Sequence, residues 1–81
     1  MAITRSELIR ILAEADPVGL IAGGAPRDEY AAEADAILSL HGVPTLTEIT
    51  GIFAVNLSEP GACTRDTARC IAEEIARRSD R

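Results

Sequence analysis

Lysine and tryptophan are absent from this 81-residue chain, and Phe53 and Tyr30 are its only aromatic residues. Without lysine there is no P-loop, although the stretch "GLIAGGAP" supplies the glycines that such a phosphate cradle would need. Two rings give nucleobases little to stack on, and the chain's acidity opposes phosphate, so nucleic acid is not an expected partner. Long apolar runs are missing too. None approaches the roughly 18 residues that span a bilayer, and Arg5 and Glu7 stand where a signal peptide would be apolar. That pattern points to a cytoplasmic protein without a membrane partner. The two cysteines, Cys63 and Cys70, have no further Cys and only one His to join them, which excludes a structural zinc site. One falls in a loop and the other two turns into a helix, so free thiols are expected.

What is present suits a folded globule: 47% hydrophobic residues with mixed charge. A chain this short buries only about 60% of its unfolded surface, enough for one core and no second domain. Residues 1–81 are therefore read as a single helical domain, packed from Ile, Leu, Val and Ala.

Apolar residues recur at helical spacing in four segments. Thr4 with Glu7 three residues later forms a capping box, and Leu8, Ile11, Leu12 and Ala15 follow until Pro17, predicting helix one over 5–15. Pro26 suits a first helical turn, and Asp28 and Glu29 suit the positive end of the helix dipole. Tyr30, Ala34, Ile37, Leu38 and His41 make one stripe ending at Gly42, which predicts helix two over 28–41. Thr45 and Glu48 repeat the capping box ahead of Leu46, Ile49, Ile52, Phe53 and Leu57, predicting helix three over 46–57. Thr64 caps the last helix, whose inner face is Ala68, Ile71, Ala72 and Ile75 and whose polar side holds Cys70. The expected fold is all-α, a small four-helix bundle with an ordered Pro/Gly-rich loop between helices one and two.

In that loop, "DPVGLIAGGAPRDEY", Asp16 can accept hydrogen bonds from following amides while Pro17 fixes the next φ. Val18, Leu20 and Ile21 are expected to tuck against the core, with Gly23 and Gly24 taking backbone angles that other residues avoid.

Charge is distributed unevenly. Glu14, Asp16, Asp28, Glu29, Glu33 and Asp35 stand against Arg27 alone, while the remaining acids and arginines balance, so the net charge of −5 belongs to this segment. On the helix-two wheel Asp28 and Asp35 lie opposite the apolar stripe with Glu29 and Glu33 beside them. Such a face steers basic partners; it is also what a plain solvated helix face looks like.

Candidate chemistry is thin. The carboxylates could do acid and base work, but no apolar pocket is evident to raise a pKa. His41 on the apolar stripe reads as a packed histidine or one paired with a helix dipole. Asp28, Glu33 and Asp35 lack the alternation and central glycine of an EF-hand loop. An acyl carrier protein is excluded because Ser6, Ser39 and Ser58 all lack the D-S-L neighbours. No catalytic residue, metal or cofactor is expected.

The segment "DPVGLIAGGAPRDEYAAEADAI" resembles the "DPxGLxxxGAPxDEYdpE" pattern of a YugE-like family of small bacterial proteins of unknown function. The resemblance covers roughly a quarter of the chain and implies a compact helical cytoplasmic protein with no established reaction. It marks Asp16, Pro17, Gly19, Gly24, Pro26, Asp28, Glu29 and Tyr30 as the signature. Ala31 and Ala32 replace the family's Asp-Pro, which leaves room for an earlier start to helix two.

The sequence therefore leads to a non-enzymatic protein–protein interaction module. Its most concrete form is an immunity-type inhibitor that covers a basic toxin with Asp16, Arg27, Asp28, Glu29, Glu33 and Asp35. The alternative is a small regulatory or housekeeping protein that self-associates, as a homodimer for example, through off-stripe residues such as Leu40 and Val55. A third reading is an enzyme or metal protein using Asp28, Glu29, Glu33 and His41.

Overall fold

Capping boxes act over three residues, and both that the sequence offers are formed in the computed structural model, which describes residues 3–40, 42–59 and 61–79. Thr4 Oγ1 accepts from the Glu7 N–H at 3.1 Å and opens α1, Arg5–Ala15. Thr45 Oγ1 accepts from the Glu48 N–H at 3.1 Å, and Glu48 returns the bond to the Thr45 N–H at 2.8 Å, opening α3, Leu46–Asn56. Thr64 Oγ1 accepts from the Thr67 N–H at 3.2 Å ahead of α4, Arg65–Ser79. Each cap satisfies amides that a helix start would otherwise leave orphaned.

Two helices end on non-glycine residues in the left-handed region. Asp16, at φ 44°, closes α1 through its N–H to the Leu12 carbonyl. Ser58, at φ 54°, closes α3 with a Schellman pair, Glu59 N–H to Ala54 O and Ser58 N–H to Val55 O.

The second helix is shorter than its stripe predicts. α2 spans Ala31–Leu38, not 28–41, and Tyr30 provides no side-chain cap. Residues before it turn instead of winding: Glu29 N–H bonds Pro26 O and Ala31 N–H bonds Asp28 O, both three residues back. His41, at the far end of the predicted stripe, lies outside the described residues.

α2 packs against α1 and α3, and α4 against α3 and α1, so the four helices close a ring around one core. Leu8, Leu12, Tyr30, Ala34, Ile37, Ile49, Phe53, Ala68 and Ile75 are fully buried. Each large apolar side chain among them contributes about 1.5–3 kcal/mol relative to exposure. The two aromatic rings meet edge to face, 5.8 Å between centroids at 61°. Among the described residues there is no strand, and no helix is long and apolar enough to cross a membrane.

Candidate functional site

The loop from Asp16 to Tyr30 is a hydrogen-bonded unit centred on one carboxylate. Asp16 Oδ1 accepts from the Ile21 N–H at 3.1 Å and from the Tyr30 hydroxyl at 2.6 Å, while Oδ2 accepts from the Ala22 N–H at 2.9 Å. The Tyr30 bond above all, with smaller help from the Ala22 and Ile21 amides, holds the Asp16 carboxyl below the usual range against the opposing effect of burial. Burial first, then Asp16, pushes the Tyr30 phenol up to about 12. Between these anchors one helical turn ends in a second Schellman pair, Ala25 N–H to Leu20 O and Gly24 N–H to Ile21 O, with Gly24 at φ 106°.

The expected backbone roles need correcting in two places. The left-handed glycines are Gly19 and Gly24, not Gly23 and Gly24. Val18 and Ile21 pack against the core as expected, but Leu20 points outward at 37% exposure.

Of the six residues assigned to a charged face, Glu33 is withdrawn from the surface, and Asp16 and Asp35 are engaged within the chain. Asp16 is committed to the loop. Glu33, placed by the wheel on the flank of the exposed face, is buried at 3% exposure, because an eight-residue helix packed against both α1 and α3 has little free flank. That burial raises the Glu33 carboxyl's pKa, and the charge of Glu29 adds to the effect. Asp35 is exposed but paired: Arg5 Nε donates to its Oδ1 at 2.6 Å and Arg5 Nη2 to its Oδ2 at 3.3 Å. Asp28 also acts on Arg5 and shares a hollow with Arg10 and Arg27. Asp28, Glu29 and Arg27 remain exposed.

A different surface is more coherent. Between the end of α2 and the outer side of α3 runs a mainly apolar groove of about 400 Å³, lined by Ala36, Leu40, Gly51, Ile52 and Val55 together with Thr47, Glu48 and Asn56. Leu40 and Val55, singled out by sequence as lying off the helical stripes, meet in this one groove. Val55 is 77% exposed, the most open of the large apolar side chains among the described residues. Glu48 is the only charged residue of α3, and its carboxylate is engaged in the capping box. Gly51 went unremarked in the sequence reading, although a glycine inside an amphipathic helical run was a usable signal.

Charge dominates the opposite side. A groove between α1 and α4 is lined by Ile11, Glu14, Cys70, Ile71, Glu74 and Arg78, among others. There Arg78 Nε donates to Glu74 Oε1 at 2.8 Å, and Arg77 also pairs with Glu74. Both thiols are free; Cys63 is buried, which pushes its thiol up, and Cys70 is exposed. Among the described residues no group of three or more His, Cys, Asp or Glu could hold a metal ion. Set against family models, curated proteins and solved structures, the chain matches none of them.

Proposed function

We propose that this chain is a non-enzymatic protein–protein interaction module whose contact surface is the α2/α3 groove. The carrying observation is that Leu40 and Val55, neither needed for the core, converge on an apolar groove beside the helix with the fewest charges. Single exposed apolar residues are ordinary on protein surfaces; a contiguous apolar groove is a better mark of a contact site. The YugE-like signature is proposed as scaffolding, since Asp16, Gly19, Gly24 and Tyr30 each have a structural task in the loop.

A second reading keeps the immunity-type inhibitor of a basic toxin. It is supported by the net charge of −5 and by Asp28 and Glu29, adjacent and exposed. Arg5, Arg10 and Arg27 weaken it by partly neutralising that side.

Photo-crosslinking separates the two. A benzophenone amino acid at position 55 or at position 29, in cells expressing the chain, should give a discrete adduct from 55 and none from 29. An adduct from 29 alone would favour the toxin-inhibitor reading, and adducts from neither would overturn the module.

A further inference from the structure

Among the described residues the core holds one charged side chain, and it belongs to α2. Glu33 is 3% exposed and falls on the buried stripe of Tyr30, Ala34 and Ile37. A carboxylate is stable in such a place when a cation or several donors face it. Here, apart from its own backbone N–H, none does. Of the α1 cations, Arg5 is held by Asp35, and Arg10 lines a separate hollow with Arg27. The α1 carboxylates turn toward α4, Glu7 to Arg78 and Glu14 into the α1/α4 groove. α3 carries no cation, and its Glu48 is engaged with the Thr45 N–H. Tyr30 gives its hydroxyl to Asp16. The charge that does act on Glu33 is that of Glu29, one turn back and of the same sign.

The same helix is the least anchored of the four. It has 8 residues, against 11 in α1 and α3 and 15 in α4. Isolated helices shorter than about 12–15 residues are marginal in water, so tertiary packing must keep α2 wound. That packing is thin: its buried apolar side chains are Ala34 and Ile37, whereas α1 buries Leu8, Ile11, Leu12 and Ala13. No side chain caps its start. The Arg5–Asp35 pair that ties it to α1 is more than half exposed at both ends, and such pairs contribute little.

We propose that α2 is a pH-dependent flap: it leaves α1 and α3 as a unit, turning on Gly42 and on the turns before Ala31, and ionisation of Glu33 favours the released state. Gly42 sits at φ 83°, a conformation that leaves it free to swivel where a side chain would resist. Docking takes the carboxyl out of water and so prefers the neutral acid, whereas release returns the ion to solvent. Burial raises the docked carboxyl's pKa, so docking is weakest above that value and strengthens as pH falls through it. Openings of this kind require less free energy than global unfolding. Ala36 and Leu40 travel with α2, so the α2/α3 groove exists only while the flap is docked. The release is a property of the free chain and does not depend on what that groove binds.

Native-state amide exchange followed by NMR tests it, at about pH 7 and at about pH 4, on either side of the range where a carboxyl with a raised pKa titrates. At the higher pH the amides of Ala34 and Ile37 should share one opening equilibrium and be less protected than those of Leu12 and Ile71. Glu33→Gln, nearly isosteric, should raise their protection several-fold there, and that gain should shrink toward none at the lower pH, where the wild-type carboxyl is itself neutral. Protection of Ala34 and Ile37 equal to that of Leu12 and Ile71 overturns the flap. A gain that is absent at pH 7, or equal at both pH values, overturns the part assigned to Glu33.

Discussion

Replacing Tyr30 with Phe removes one oxygen and leaves the ring's packing in place, including its edge-to-face contact with Phe53. The lost bond is 2.6 Å long, runs to an ionised carboxylate and spans fourteen residues of chain. A hydrogen bond to a charged group contributes about 1.5–3 kcal/mol, so roughly 2 kcal/mol is expected here. For a domain of this size each kcal/mol moves Tm by about 4–8 °C, giving a drop on the order of 8–16 °C in a thermal melt. The loss should be local as well, with faster amide exchange at Ile21 and Ala22, whose N–H groups share the same carboxylate. Alkaline titration supplies an independent check. The phenol's folded pKa of about 12 lies above its unfolded value near 10, so the folded state holds the proton more tightly. Its stabilisation is complete below pH about 10 and disappears as pH rises toward 12. With no lysine in the chain, this window is unusually clean, and the difference between wild type and Tyr30→Phe separates the phenol from the Cys63 thiol. A Tm change within error, with unaltered exchange at Ile21 and Ala22, would refute the loop staple.

Other perturbations give distinct signatures. Gly51→Ala should stabilise the dilute protein by up to about 1 kcal/mol in chemical denaturation, since the site is helical and open; destabilisation would mean that the helix needs its glycine internally. Glu33→Gln should raise Tm at neutral pH, because burial lifts the folded carboxyl's pKa and the folded state prefers its neutral form. That advantage should shrink as pH falls through the folded pKa, and a Tm gain independent of pH would contradict it. Native-state titration with a thiol reagent should modify Cys70 quickly and Cys63 only on unfolding; equal rates would dispute the burial of Cys63.

What the sequence revealed depended on range. The capping boxes Thr4/Glu7 and Thr45/Glu48 act within a single turn, and α1 and α3 begin where those pairs place them. The start of α2 was misplaced because Pro26, Asp28 and Glu29 carry helix-start chemistry, yet the chain there forms consecutive turns and Tyr30 is drawn back to Asp16. No helical wheel contains that contact. The acidic face was only partly legible for the same reason: Arg5 reaches Asp35 across thirty residues, and the packing of α1 and α3 around α2 leaves Glu33 buried. Leu40 and Val55 were legible as apolar residues off their stripes. Their meeting in one groove required the geometry of two helices.

The placement of the interaction surface is tested most directly by amide NMR spectra of the isotope-labelled chain recorded in buffer and in cell lysate. Shifts confined to residues near Ala36 and Leu40 and along α3 are expected, greatest around Gly51 and Val55. Shifts centred on residues 16–30, or spectra the same in buffer and in lysate, would contradict it.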